Sequence, residues 1–124
     1  MTASKQREVC LLIGNNAAVL WSDASTSPSA MPDSRQRWQA IWERREELVE
    51  ITHSHPHGPA HFSAEDESTM NALTSALGSA VRFSVVTPET YLVRDTEGER
   101  LVKDEPWWVG LLRLASGMEG SREV

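Results

Sequence analysis

All four histidines of the chain fall within one short segment, and this segment is the part of the sequence best suited to chemistry. His53 and His55 are two residues apart, and on an extended chain such residues point to the same side. A Ser-x-x-Asp sequence from Ser63 to Asp66 follows and supplies a carboxylate. Two imidazoles and a carboxylate are three ligands for a tetrahedral zinc ion, and a fourth position open to water is typical of a catalytic site.

The surrounding patterns indicate which elements hold these residues. The run from Leu48 to His55 predicts a strand whose apolar face becomes a ligand face at its end, with His53 and His55 following Val49 and Ile51. The run from Ala64 to Leu77, closed by Gly78, predicts a helix. Asp66 begins one face of that helix, so its carboxylate is expected to point inward from the first turn. The other residues on this face are Met70, Leu73 and Leu77.

Both parts of this candidate site also have a structural interpretation. A His-Ser-His sequence at a strand end can be a solvated polar terminus, and Ser-x-x-Asp before an apolar run is a helix capping box. The two interpretations of Ser63 are compatible, because a serine that caps the helix fixes the first turn and thereby aims Asp66. Taken together, the spacing and facing of His53, His55 and Asp66 favour a metal site.

The remaining patterns predict an α/β or α+β domain, in which strands and helices alternate around one sheet. A Ser/Thr/Pro-rich loop is predicted over residues 23–30 and a frayed tail over residues 117–124. Trp38, Ile41 and Trp42 are predicted to form the buried stripe of the first helix. The other predicted elements are a hairpin of Val9–Ile13 and Ala17–Trp21, a helix from Ser34 to about Glu47, strands at Val81–Thr87, Tyr91–Arg94 and Arg100–Lys103, and a closing helix from Pro106 to about Ser116.

Composition limits the classes of function. With 124 residues, the chain is expected to form a single domain spanning residues 1–124. A net charge of −6 without a basic cluster argues against a nucleic-acid partner. No apolar run approaches the roughly 18–20 residues that span a bilayer, so no membrane partner is expected. A single cysteine, Cys10, fits a reducing cytoplasm and is expected to be a core residue rather than a nucleophile. The oligomeric state is not predicted.

Three separated segments together resemble the JAMM motif of the JAB/MPN family of zinc metalloproteases. They are Glu8–Gly14, His53–Pro56 and Phe62–Asp66, in the family's order Glu … His-x-His-Pro … Ser-x-x-Asp. The resemblance covers residues 8–86. It implies an MPN/JAB-like domain of the cytidine-deaminase-like type, in which helices flank a mixed β-sheet.

The resemblance also implies a role for each motif residue. His53, His55 and Asp66 would bind Zn²⁺, with a water as the fourth ligand. Glu8 would take the proton of that water and deliver it to the leaving amine. Ser63 would stabilise the oxyanion of the tetrahedral intermediate.

Known members of this family cleave peptide or isopeptide bonds after the C-terminal tail of ubiquitin or ubiquitin-like proteins, and bacterial relatives act on sulfur-carrier or ubiquitin-like β-grasp proteins. The resemblance therefore implies a cytoplasmic, deubiquitinase-like hydrolase with such a protein as its substrate. Release of a small adduct, such as an amino acid, from a carrier protein would use the same site. The alternative from another class is a non-catalytic MPN module that scaffolds an assembly.

This sequence departs from the family pattern in two places. Typical members carry a strand and a helix before the glutamate, whereas seven residues precede Glu8 here. The domain is therefore trimmed, or its start lies further upstream, or a partner supplies the missing support. The loop after the ligands also contains His57 and His61. Both are expected to be exposed or to support the site, although His61 could compete as a ligand.

Overall fold

A six-stranded mixed sheet organises the chain in a computed structural model, which describes residues 6–78 and 80–118. The strand order is β2-β1-β3-β4-β5-β6. Neighbouring strands are antiparallel except β3 and β4, which are parallel. The strands are β1 Val9–Gly14, β2 Val19–Ala24, β3 Leu48–Ser54, β4 Arg82–Val86, β5 Tyr91–Asp95 and β6 Gly98–Leu101.

Helices cover both faces of this sheet and complete an α+β fold, as predicted. They are α1 Arg35–Glu43, α2 Ala64–Leu77 and α3 Trp107–Ala115. Ile41 of α1 and Leu73 of α2 belong to one buried cluster, which includes Cys10 and Ile51 of the sheet. Trp108, Val109 and Leu112 of α3 belong to a second cluster on the opposite face, with Val9, Leu11 and Ile13.

Most of the predicted elements are present. The N-terminal hairpin is confirmed, with a short 3₁₀ turn at Asn15–Ala17 between its strands. α2 has the predicted bounds, and Ser34 caps α1 by accepting a hydrogen bond from the backbone N–H of Arg37 at 3.2 Å. β2 extends to Ala24, so the predicted loop begins later than residue 23.

The end of the first helix was predicted incorrectly. α1 ends at Glu43 rather than at Glu47, because the chain turns there to enter β3; the backbone N–H of Glu47 donates to Arg44 O at 2.9 Å. Trp42 therefore lies on the last turn and is 55% exposed, so its predicted place in the core is wrong. The guanidinium of Arg45 stacks on its ring, 3.7 Å from the centroid.

The C-terminal predictions are only partly within the described residues. The closing helix α3 is present, and Gly117 and Met118 follow it in a turn that buries Met118. The rest of the predicted tail, residues 119–124, lies outside the described residues. Within residues 6–78 and 80–118, no helix combines the length and the apolar character needed to cross a membrane.

Candidate metal centre

The end of β3 places two imidazoles side by side. His53 is in the strand and His55 follows it directly, but the backbone N–H of His55 still donates to Val86 O at 2.8 Å. The alternation of the strand therefore continues through His55, and both rings lie on the face of the sheet that α1 and α2 cover. Their Nε2 atoms are 3.1 Å apart.

The first turn of α2 brings a carboxylate to these rings. Ser63 and Asp66 form a capping box, as predicted: Ser63 Oγ accepts from the Asp66 N–H at 3.1 Å, and Asp66 Oδ2 accepts from the Ser63 N–H at 2.8 Å. The same Oδ2 atom lies 3.2 Å from His53 Nε2 and 3.5 Å from His55 Nε2. The local cap thus also aims the carboxylate at the two imidazoles.

The spacing of these three donor atoms suits a small tetrahedral cation. Zinc–ligand bonds of about 2.0–2.1 Å in a tetrahedral shell place neighbouring donors about 3.3 Å apart. The three separations here range from 3.1 to 3.5 Å. His53, His55 and Asp66 therefore fit zinc in both donor type and donor spacing.

A hydrogen bond orients the ring of His55 so that its Nε2 faces Asp66. Its Nδ1 lies 3.1 Å from the carbonyl oxygen of Pro59, which can only accept, so Nδ1 carries a hydrogen. In the neutral ring Nε2 is then an acceptor that faces the acceptor Asp66 Oδ2. Two acceptors this close repel each other, and a proton or a metal ion between them removes that repulsion. A carbonyl that holds the far nitrogen of an imidazole is a common partner of histidine ligands.

The pKa shifts of His55 and Asp66 both favour a positive charge beside the Asp66 carboxylate. Burial opposes charge on His55, but its hydrogen bonds to Asp66 and Pro59 outweigh burial and raise its pKa above the ordinary value. Burial alone would raise the pKa of Asp66, yet hydrogen bonds from His53 and His55 hold that pKa well below its usual range. The carboxylate is therefore ionised and available as a ligand at neutral pH.

Glu8 joins this cluster from the neighbouring strand. It precedes β1, and its backbone pairs with the segment that follows β2: its N–H donates to Ser27 O and its carbonyl accepts from the Ser25 N–H, both at 2.9 Å. A carboxylate oxygen of Glu8 and one ring nitrogen each of His53 and His55 all lie within 4.8 Å of one another. The side chain is 7% exposed, and within the described part of the chain its carboxylate makes no hydrogen bond. Burial raises its pKa, which the two histidines oppose.

A cavity of about 660 Å³ opens beside these four residues. Its apolar walls come from the sheet, from α1 and α2, and from the segment 28–33; they include Met31, Trp38, Ile41, Met70 and Phe83. His57 and His61 line it as exposed residues, as predicted. Cys10 is buried in the core, and burial raises its thiol pKa to about 12, which agrees with a packing role.

Sequence reasoning missed one group that supports the site. Arg94 on β5 holds Glu67, the neighbour of Asp66, through two hydrogen bonds of 2.6 and 2.8 Å, and its guanidinium lies 4.7 Å from the ring centroid of Phe62. These contacts clamp the first turn of α2 to the sheet. No local pattern identifies this pairing, because Arg94 and Glu67 are far apart in sequence and both resemble ordinary surface charges.

Comparison with known proteins agrees with this geometry. The sequence model of a family described as prokaryotic homologs of the JAB domain matches residues 2–102. This range contains all four residues of the cluster and ends before α3 begins. A search of curated proteins found no match.

Proposed function

The chain belongs to the family of prokaryotic homologs of the JAB domain, and on that premise we propose that it is a zinc-dependent peptidase. Its substrate in this proposal is a ubiquitin-like or sulfur-carrier β-grasp protein, which it cleaves after the C-terminal tail. One observation carries the proposal: three donor atoms converge at 3.1–3.5 Å beside a buried glutamate that faces them without a hydrogen bond from the described residues.

In this proposal, His53, His55 and Asp66 hold the zinc ion. When bound, zinc lowers the pKa of water and polarises the scissile carbonyl. Pro59 O keeps a hydrogen on His55 Nδ1, so that Nε2 presents its lone pair to the site. The capping box and the Arg94–Glu67 pair hold Asp66 at the required position.

Glu8 is the general base of the proposal. Its carboxylate accepts a proton from water as the water attacks the carbonyl, and then gives that proton to the leaving amine. Burial supports this use in two ways: it raises the pKa of Glu8, and it leaves the carboxylate free of competing hydrogen-bond donors among the described residues. A carboxyl with a raised pKa is better able to hold a proton between the two transfers.

Ser63 stabilises the oxyanion in this proposal. Its Oγ accepts the hydrogen bond from the Asp66 N–H, and a hydroxyl that accepts one hydrogen bond still has its own hydrogen to donate. Ser63 lines the cavity, so this hydrogen can reach a substrate oxygen there. Capping uses the Ser63 oxygen as an acceptor and oxyanion binding uses its hydrogen as a donor, so the same hydroxyl can do both.

The substrate class follows from the family, and the cavity supports it. An extended protein tail needs space beside the donor atoms, and the 660 Å³ cavity lies there with segment 28–33 as one of its walls. The residue types of this wall, including Pro28, Met31 and Pro32, offer apolar contact to a main chain.

A second role is favoured by a different surface. Trp107, Leu111 and Leu114 lie at i, i+4 and i+7 on α3 and are 61, 38 and 77% exposed. An exposed apolar stripe of this kind is typical of a contact with another protein. The scaffold alternative therefore keeps a structural basis, and it predicts binding without cleavage.

A substrate panel separates the two roles. The zinc-loaded protein is incubated with β-grasp proteins that end in Gly-Gly and are extended either by a peptide or by a lysine-linked adduct, and the products are identified by mass spectrometry. We expect cleavage directly after Gly-Gly that stops when a chelator removes the metal. Binding of these proteins without any cleavage would contradict the peptidase and support the scaffold.

A further inference from the structure

A buried hydroxyl joins the strand of Glu8 to the strand of the histidines. The last paired residues of β1 and β3 are Cys10 and His53, so the regular strand pairing does not include Val9. The N–H of Val9 instead donates to Ser54 Oγ at 2.8 Å. Ser54 lies between the two histidines in sequence, and its side chain points to the opposite face of the sheet. This hydrogen bond therefore continues the strand pairing next to Glu8.

α3 extends this connection. Ser116 Oγ is 2.6 Å from Ser54 Oγ and donates to Leu112 O at 2.7 Å. Both serines are fully buried, at 0% exposure. Each hydroxyl has one hydrogen to give and can accept another. The Val9 N–H, the two hydroxyls and the Leu112 carbonyl thus form one chain of hydrogen bonds, which we call the serine relay.

The end of α3 also holds the residue before Glu8. The backbone N–H of Arg7 donates to Ser116 O and its Nε donates to Ala115 O, both at 3.1 Å. Both neighbours of Glu8 are thereby tied to α3, one directly and one through Ser54. α3 lies beyond the range that the family model matches, so this support belongs to the part of the chain that the comparison does not describe.

We propose that Ser54 and Ser116 are positioning residues, whose relay sets the carboxylate of Glu8 against His53 and His55. The proposal rests on the proposed function in taking Glu8 as the general base. The carboxylate makes no hydrogen bond with the described residues, so its position follows from its backbone and from packing. The serines touch neither the donor atoms nor the cavity, because they lie on the α3 face. They act only through the strand that carries Glu8.

The test compares three variants. Ser54→Ala removes the acceptor of the Val9 N–H, and Ser116→Ala removes the next hydroxyl of the relay. Thr52→Val is the matched control, since Thr52 is fully buried on the same face of β3 and its hydroxyl donates to Ser84 O rather than towards β1. Crystal structures of the metal-free proteins and hydrogen exchange of the Val9 amide are measured first, followed by zinc content, kcat and KM on the Gly-Gly panel.

For Ser54→Ala we expect a displaced Glu8 carboxylate, faster exchange at the Val9 amide, unchanged zinc content and unchanged KM. The value of kcat should fall about tenfold to a hundredfold, as small misplacements of catalytic groups do. Ser116→Ala should show the same changes to a smaller degree. The double variant should be no worse than Ser54→Ala alone, because both residues act through one relay.

Two kinds of failure are distinguishable. If the wild type binds no zinc or cleaves nothing, the proposed function fails, and the crystal structures and amide exchange still decide the positioning proposal. If Ser54→Ala keeps the Glu8 carboxylate in place, or loses no more kcat than Thr52→Val, the serines are only structural and the positioning proposal is overturned.

Discussion

Two buried glutamates lie on opposite faces of the sheet, and their surroundings differ completely. Glu50 on β3 is 3% exposed, and its Oε2 accepts hydrogen bonds from Ser84 Oγ at 2.6 Å and Tyr91 OH at 2.7 Å. Arg82 Nη1 lies 3.7 Å from its other oxygen. Glu8 is almost as buried, but no donor among the described residues reaches its carboxylate, which faces the two histidines.

The difference is the one expected between a structural carboxylate and a catalytic one. Burial raises the pKa of both groups, so neither burial nor a shifted pKa distinguishes them. Their hydrogen bonds do: buried polar groups are normally satisfied, and one that is left open beside a cavity calls for a ligand or a reaction. Glu50 lies beside a cavity as well, but its carboxylate is already engaged by Ser84 and Tyr91, whereas no described residue donates to the carboxylate of Glu8.

The largest expected effect is on catalysis. Glu8→Gln should lower kcat by about 10²–10⁴-fold, the range of general-base catalysis, because the amide cannot accept the proton of the attacking water. Zinc content should stay at the wild-type level. Glu50→Gln is the matched control and should keep kcat. Rates on the Gly-Gly panel check both, and equal losses in the two variants would erase the distinction between the glutamates.

The second effect is on stability, and here the substitution of Glu50 should cost more than the substitution of Glu8. Glu50→Ala leaves the hydroxyls of Ser84 and Tyr91 without their acceptor, so the free energy of unfolding should fall by about 2–4 kcal/mol. Glu8→Ala removes no hydrogen bond seen among the described residues and should change that free energy by less than about 1 kcal/mol. Urea unfolding of the metal-free proteins measures both. A greater loss for Glu8→Ala would show that its carboxylate is structural.

The pH dependence of stability shows whether burial or hydrogen bonding has the larger effect on the pKa of Glu50. Burial raises its pKa more than the hydrogen bonds from Ser84 and Tyr91 lower it, so the folded state binds the proton more tightly than the unfolded state. This contribution to stability is fully present below the ordinary glutamate pKa of 4.5 and is lost as the pH rises through the folded value. The stability of wild type minus that of Glu50→Gln should therefore decrease with pH, by at most about 1.4 kcal/mol per unit.

Unfolding free energies of the two proteins, measured in the same buffers between about pH 4 and pH 8, test this sign. Taking the difference cancels the titrating groups that Glu50 does not influence. A difference that increases with pH would mean that the hydrogen bonds outweigh burial at Glu50.

The smallest effect is expected at the rim of the cavity. His61 is exposed and lies outside the cluster of Glu8, His53 and His55, so His61→Ala should leave zinc content and the free energy of unfolding unchanged. Atomic absorption on the purified variant is sufficient. A loss of zinc would identify His61 as a competing ligand, and His57→Ala would then show whether the whole loop contributes.

The sequence predicts the parts of this fold that depend on neighbouring residues. Alternation along β3 places His53 and His55 on one face, and the capping box at Ser63 determines where α2 begins and where Asp66 points. Glu8 is different, because nothing in its own surroundings in the sequence separates it from a solvated glutamate. The family resemblance identifies it, and the structure places it beside the histidines.

The errors and omissions depend on contacts between distant residues. Trp42 has the spacing of a buried residue, but the turn into β3 ends α1 early and leaves the ring exposed. The serine relay joins Ser54 to Ser116, and the Arg94–Glu67 pair joins β5 to α2. Isolated serines and surface charges carry no periodic signal, so no pattern in the sequence predicts either connection. Zinc binding and the role of each site residue stay predictions.

The most direct test of the central claim is the zinc content of protein purified without added metal. Wild type is compared with Asp66→Ala and with Asp33→Ala, a control carboxylate that is exposed at the same cavity. The account predicts about one zinc per chain in wild type and Asp33→Ala, and its loss in Asp66→Ala. A wild type that stays empty when zinc is supplied, or an Asp66→Ala variant that keeps its zinc, would contradict it.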